Sequence, residues 1–332
     1  MTMIVSKTPL RISFAGGGTD LPSFYMNNEY GAVFSSSINK YIYVTVKRHS
    51  NLYQEKIRLN YFETELVDDV EDISNPIIRE CLKFLEIDEG IYISTVADAP
   101  ASSGLGSSST FCVGLLKALY AYTGQSVNGV RLAEEAAHIE IDLLQRPIGK
   151  QDHYAATFGG LNYFQFNEDG TSSIKPMINN DRIVQSLFGN LLTFWTGIER
   201  KSEEILTEQN DNTKLNSPTL IEIRDQALQF CEAVKNNDLN METLGTFLHK
   251  GWKLKKTLAS NISNSFIEQA YSSALENGAI GGKISGAGGG GFLSLVVPSP
   301  YRSTILSEMA KLGLNFFPVF AETEGCVVHN LY

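Results

Sequence analysis

The sequence is poor in the features that mark several whole classes of protein. Only four of its 332 residues are cysteine, at positions 81, 112, 231 and 326, with no close spacing among them. That excludes a short-spaced zinc site and a disulfide framework, and points to reduced, buried thiols. No block of Lys or Arg offsets the 37 acidic residues, and the formal charge is −10. A pI near 5.1 excludes the basic stripe a nucleic-acid partner needs. No apolar run reaches the ~18 residues of a membrane helix, so no membrane partner is expected. Met1–Phe14 lacks a basic-then-apolar leader with a small-residue cleavage site, and a cytoplasmic protein is expected. Internal repeats and low-complexity tracts are missing too.

What is present is an ordinary globular composition, 43% hydrophobic with 28 glycines. A chain this long can bury one or two cores, and two are expected. Met3–Phe14 is apolar-rich and Gly31–Val46 alternates, so both read as strands, as do Ile91–Val96, Leu161–Phe166, Leu191–Trp195 and Phe292–Val297. Helices are predicted at Ser107–Tyr122 and Arg131–Leu144, and near Leu220–Lys235, Met241–Leu258 and Phe266–Glu276. The stretch Glu168–Asn180 is polar and turn-rich. Strands and helices mix without a regular βαβ rhythm, which predicts an α+β fold in two lobes, residues 1–180 and 190–332.

Three glycine-rich loops stand out. In the first, Arg11–Asp20, a strand ends in Gly16, Gly17 and Gly18, followed by Thr19 and Asp20. Glycine permits positive φ and close ligand approach, so Asp20 can face a bound hydroxyl; a tight turn capped by Asp20 is the alternative. In the second, Pro100–Thr110, small residues leave backbone N–H groups bare just ahead of a helix. A helix N-terminus with free amides is an anion site, and the hydroxyls of Ser107–Thr110 can add donors or a metal ligand. Ordinary serine capping needs fewer small residues than Gly104–Ser109 supplies.

The third loop, Lys283–Phe292, formally matches the dinucleotide fingerprint through Gly286, Gly288 and Gly291. That match is rejected, because the fingerprint must open a helix and this loop runs into a strand. It is not a Walker loop either: Ile284 follows Lys283, and Asn277 stands where the first glycine belongs. The H-R-D and D-F-G signatures of protein kinases do not occur.

One carboxylate is out of place. Glu140 has Ala136, Ala137, Leu143 and Leu144 at helical spacing, so it projects from the apolar face, while Glu134, His138, Asp142 and Gln145 form the polar row. A buried carboxylate needs a cation, met by a metal ion or by a salt bridge to Lys or Arg. Twelve residues on, Asp152 falls in what reads as an irregular turn, Gly149–Tyr154, a place for an active-site residue or for a plain surface aspartate. His153 reads as a polar neighbour, since no second histidine lies at ligand spacing.

Together these residues resemble the GHMP kinases, the superfamily of galactokinase, homoserine kinase and mevalonate kinase. Three motifs occur in order, Pro9–Asp20, Pro100–Thr110 in the pattern P-x-x-x-G-L-G-S-S, and Ser285–Phe292. The resemblance implies a lobe like ribosomal protein S5 domain 2 at the N-terminus, carrying the ATP site. It implies a ferredoxin-like lobe at the C-terminus, with the active site between the two. Carried over by position, Pro100, Ser102, Ser103, Gly104, Leu105, Gly106, Ser107, Ser108 and Ser109 would hold ATP. Ser108, or its neighbour Ser107, would share Mg²⁺ with Glu140. Asp152 matches the family's catalytic aspartate and Arg11 the basic residue of the first motif. Asp20 with Gly17, Gly18 and Thr19, and Gly288 with Gly289, would meet the acceptor.

Within the superfamily, Pro9–Pro22 and Gly251–Lys256 look most like the branch that phosphorylates the C1 hydroxyl of D-glycero-D-manno-heptose 7-phosphate. Fucokinases, with a related Gly-Gly-x-Thr-Asp loop, are the competing branch, and a catalytically inactive sugar- or nucleotide-binding regulator is the competing class. The expected partners are therefore ATP and a sugar phosphate, on a monomer or homodimer. Backbone amides can hold phosphates in an acidic chain, but a substrate phosphate needs local cations. Lys253, Lys255 and Lys256 form a dense basic cluster, either for that phosphate or as a solvated helix face.

Overall fold

The computed structural model describes residues 3–88, 90–177, 181–199 and 202–331. The chain begins with β1 (Met3–Ala15), the one-turn helix α1 (Pro22–Tyr25) and the long strand β2 (Tyr30–Arg48). Next come β3 (Ile57–Asn60), β4 (Thr64–Val67), α2 (Pro76–Phe84) and β5 (Ile91–Ala97). Three helices follow, α3 (Ser107–Tyr122), α4 (Gly129–His138) and α5 (Gln151–Phe158), then β6 (Leu161–Asn167) and β7 (Ser172–Pro176). The second half holds α6 (Asp181–Phe188), β8 (Leu191–Trp195), α7 (Ser202–Asp211), α8 (Ser217–Lys235), α9 (Met241–Lys255) and α10 (Ser265–Glu276). It ends with β9 (Gly281–Ile284), β10 (Phe292–Val296), α11 (Arg302–Lys311), β11 (Asn315–Phe316) and β12 (Val327–Leu331).

β2 organises the first sheet because its 19 residues are long enough to serve two partners end to end. β5 pairs with Ile42–Arg48 and β6 with Tyr30–Ser36. The sheet runs β12-β1-β2-β5-β3-β4, with β7 outside β6, and the second sheet runs β11-β8-β10-β9. Helix α3 packs on β1 and β2, burying Cys112, Leu115, Leu116 and Leu119 against residues such as Leu10, Ile12 and Phe34. The fold is α+β. Among the described residues no helix is long and apolar enough to cross a membrane.

The two halves share their packing. Phe230 of α8 lies 4.7 Å from Phe34 and 5.8 Å from Phe14, ring centre to ring centre, so the second half closes the first core. Truncating such a buried ring costs about 3–5 kcal/mol. β12 returns to pair with β1, so residues 327–331 join the first sheet although they belong to the second half in sequence.

Three expectations need correction. The polar stretch after Glu168 contains a strand, β7, which pairs with β6 along Asn162–Phe166; residues 178–180 lie outside the described ones. The predicted helix Arg131–Leu144 stays α-helical only to His138, and Ile139–Leu143 widens into a π-turn, with the Leu144 N–H donating to Ile139 O at 3.0 Å. The extra residue shifts the phase: Leu143 turns outward, 45% exposed, while Glu140 stays fully buried. Finally, Asp152 sits in the first turn of α5, not in an irregular turn.

Candidate active site

The second glycine loop enters α3 through a run of left-handed residues, Ser102 (φ +55°), Gly104 (φ +85°) and Gly106 (φ +81°). Such a run turns backbone amides toward the helix axis, where the dipole of a 16-residue helix favours an anion. The third loop supports this cradle from behind. A methyl on Gly286 would fall 2.5 Å from Gly104 Cα, and one on Gly291 2.2 Å from Ser103 O. The third loop thus carries backbone packed on backbone, which any side chain would push apart. In front lies a cavity of about 900 Å³, lined by Ser102, Ser103, Gly104, Gly106, Ser107, Ser108 and Ser109 with Arg11, Gly18, Asp20, Glu140 and Asp152.

Other expected site residues lie elsewhere. Pro100 offers its carbonyl to Ser107 Oγ at 3.4 Å, and Leu105 is buried, its carbonyl accepting from Arg11 N at 3.1 Å. The buried Thr19 hydroxyl is spent on Gly16 O and Ala32 O and accepts from Ala32 N–H. Gly17 adjoins the cavity wall without lining it. Gly288 and Gly289 are held away from it: the Gly289 N–H donates to Ile262 O at 2.6 Å, and a methyl on Gly288 would meet the same oxygen. Gly286 and Ala287 reach the cavity in their place.

Arg11 and Asp152 form a bidentate pair. Arg11 Nε and Nη2 each donate to one Asp152 oxygen at 2.7 Å, and Nη1 donates to Gly104 O at 2.7 Å. One guanidinium therefore ties the phosphate loop to the carboxylate. Gly106 is what lets Asp152 come close, since a Cβ there would stand 3.1 Å from Oδ2.

Glu140 is enclosed by donors. His153 Nε2 lies 2.8 Å from Oε2, Arg146 Nη1 lies 2.7 Å from Oε1, and Ser108 Oγ donates to that same oxygen. Burial alone would raise its pKa; the bonds from His153 and Ser108 and the charge of Arg146 reverse this and hold it at about 2. Arg146, not singled out in the sequence, also touches Ser108 Oγ at 2.7 Å. Among the described residues no cluster of three or more His, Cys, Asp or Glu could hold a metal by itself. A hydroxyl and one carboxylate side by side nevertheless fit Mg²⁺, which takes one or two protein oxygens and fills its shell with phosphate and water. Arg146 demonstrates that this spot accepts a cation.

Asp20, also buried, has no cation partner among the described residues. Its oxygens accept from Gly18 N (3.0 Å), Gln151 N (3.2 Å) and Gln151 Nε2 (3.0 Å). Burial, then the charge of Asp152, pushes its pKa up. Of the basic cluster, Lys256 pairs with Glu268 at 2.8 Å and Lys253 points to solvent, whereas Lys255 lines the cavity and donates to Gly286 O. Lys283 donates to Ser13 O at 2.8 Å; burial, then Lys255 and Arg11, drive its pKa well below that of an ordinary lysine.

A phosphate cradle, a buried acid fit for a cation and an arginine-held aspartate facing one cavity can serve phosphoryl transfer to an alcohol. Known proteins agree. Residues 75–160 match the model of the GHMP kinases N terminal domain and residues 230–313 that of the GHMP kinases C terminal domain. A D-glycero-alpha-D-manno-heptose 7-phosphate kinase of Campylobacter jejuni is 31% identical, over 94% of each chain. The crystal structure of a D-glycero-D-manno-heptose 1-phosphate kinase from Bacteroides thetaiotaomicron superposes with a TM-score of 0.81 at 25% identity, covering 99% of each chain. An L-fucokinase/L-fucose-1-P guanylyltransferase of Bacteroides fragilis is 25% identical over 93% of this chain and 36% of its own. Motifs, fold and relatives converge, and the chain belongs to the GHMP kinases as a sugar kinase, a phosphotransferase with an alcohol group as acceptor.

Proposed function

We propose that the protein transfers the γ-phosphoryl group of ATP to the anomeric C1 hydroxyl of D-glycero-D-manno-heptose 7-phosphate, giving the 1,7-bisphosphate. The observation that carries the chemistry is the bidentate Arg11–Asp152 pair at the mouth of α3. The substrate rests on the likeness to the Campylobacter heptose 7-phosphate kinase. The lobes are taken to divide between residues 180 and 190, with β12 returned to the first.

In this reading the cradle amides and Ser107–Ser109 bind the ATP phosphates. Ser108 and Glu140 would hold Mg²⁺, which would supply charge neutralisation to the phosphates. Asp152 accepts the proton of the attacking hydroxyl; each of its oxygens keeps a lone pair after Arg11 is satisfied. Arg11 holds Asp152 fixed against Gly104, so the acceptor and the phosphates share one rigid frame. Lys255 is the cavity-lining member of the basic cluster, and it is assigned the substrate's own phosphate. A local cation of this kind is what a phosphate-bearing substrate needs in a chain of net charge −10.

Coupled ADP-release assays on heptose 7-phosphate, heptose 1-phosphate, fucose and galactose test the substrate. The highest kcat/KM is expected on heptose 7-phosphate. Faster turnover of fucose would overturn the assignment, and no turnover of any alcohol would favour a regulator.

A further inference from the structure

Two polar atoms of residues that line the cavity with Asp20 are buried without a hydrogen-bond partner among the described residues, Nε2 of Gln209 and Oε1 of Gln151. Both side chains line the same cavity, and Gln209 is only 1% exposed. An unsatisfied buried donor or acceptor costs about 1–3 kcal/mol, so two in one cavity call for an explanation.

Their placement is specific. Gln209 comes from α7, which Thr213 ties to Ser23 of α1 at 3.1 Å. Its amide lies on the backbone of Gly18, where a methyl group would approach Nε2 to 2.4 Å. The Gly18 N–H is already spent on Asp20 Oδ1. Gln151 Nε2 donates to that same Oδ1, which orients the Gln151 amide with its oxygen as the open end. Gln209, Gln151 and Asp20 therefore bring to the cavity lining one unpaired donor, one unpaired acceptor and one carboxylate. A hydroxyl both donates and accepts, so neighbouring hydroxyls of a polyol match this set.

We propose that Gln209 and Gln151 are specificity-determining residues of the acceptor subsite: the Gln209 amide donates to one substrate hydroxyl and the Gln151 carbonyl accepts from a hydroxyl. This rests on the sugar-kinase reading and adds to it the residues that tell one sugar from another. A site whose polar atoms are paired only by substrate rejects an analogue lacking that hydroxyl, because the protein group is then left unpaired.

The test measures kcat and KM of the full chain, as wild type, Gln209→Leu and Gln151→Met, on the best sugar of the panel and its monodeoxy analogues. Isothermal titration with ADP and thermal melting accompany the kinetics. For Gln209→Leu, KM should rise roughly 10–100-fold, and discrimination against one deoxy analogue should collapse toward unity, with ADP affinity unchanged. The ligand-free melting temperature should hold or rise, since leucine removes an unpaired amide; a purely structural glutamine would instead lower it. A folded Gln209→Leu with wild-type KM and wild-type discrimination overturns the proposal. If that variant does not fold, Gln209→Glu replaces the donor with an acceptor at nearly the same shape, and unchanged discrimination there overturns it as well. A wild type that phosphorylates sugars while these variants discriminate normally sinks this inference alone. A wild type that phosphorylates only non-sugar alcohols sinks it together with the reading beneath it.

Discussion

Glu140 and Asp20 line one cavity and are both buried, yet their acidities move in opposite directions. Burial raises both. Glu140 overcomes it with an imidazole, a hydroxyl and a guanidinium, whereas among the described residues Asp20 has amides for partners and a second carboxylate, Asp152, as neighbour. What differs is the charge of the partners, and under the proposed function the difference divides the cavity into a cation side and an acceptor side. The Glu140 side is prepared for a cation. The Asp20 side holds its charge reluctantly, which suits a group that meets neutral hydroxyls. Asp152 stands between them, with Arg11 as its own cation.

The substitution with the largest expected effect is at that dividing residue. Asp152→Asn should lower kcat by about 10²–10⁴ and leave ADP affinity within about twofold, as measured by coupled assay and calorimetry. It also sharpens the comparison, because removing the Asp152 charge should bring the Asp20 titration down toward the ordinary range, followed by carboxyl NMR. Near-normal turnover would refute the catalytic role; an unmoved Asp20 would leave burial as the sole cause of its shift. Glu140→Gln comes next. The Mg²⁺ concentration for half-maximal rate should rise about 10–100-fold. An unchanged metal titration would reduce Glu140 to the ion-pair partner of Arg146 and erase the division between the two sides. Smaller again is Lys255→Met, which should raise KM about tenfold for a sugar phosphate and spare the unphosphorylated sugar. Equal losses on both would deny Lys255 the substrate's phosphate.

How much of this was legible before the structure depended on whether the signal was local. Ser107–Tyr122 was readable to the residue because small residues end where an apolar stripe of helical period begins. The burial of Glu140 followed from Ala136 and Ala137, one turn earlier on the apolar face, and survives the change to a π-turn. The π-turn itself leaves no mark in a 3.6-residue pattern, so Leu143 was wrongly placed inside. The eight-residue helix α5 has almost no apolar periodicity and follows Gly149, so it looked like a turn. In the run of glycines after Lys283 the resemblance assigns the acceptor to Gly288 and Gly289 and leaves Gly286 out. Only contacts with Ile262 and Gly104 tell them apart. Arg146 reaches Ser108 across 38 positions, and Gln209 sits on the polar helix α7, whose few apolar residues predicted no helix. β12 pairs with β1 from the far end of the chain. Contacts made by folding over such distances have no local signature.

The smallest expected effect tests the comparison by its sign. The native pKa of Asp20 lies above the ordinary 3.8, so between those two values the folded protein binds a proton that the unfolded chain has released. Stability then falls as pH rises through that window, the reverse of the usual salt-bridged carboxylate. Asp20→Asn cannot ionise and lacks this slope. Denaturant unfolding of ligand-free wild type and Asp20→Asn at about pH 4 and about pH 7 should show the wild type losing ground to the variant at the higher pH. A wild type that gains on the variant as pH rises would mean that the amide donors outweigh burial at Asp20. The two carboxylates would then differ in degree only, and the cavity would lose its uncharged side.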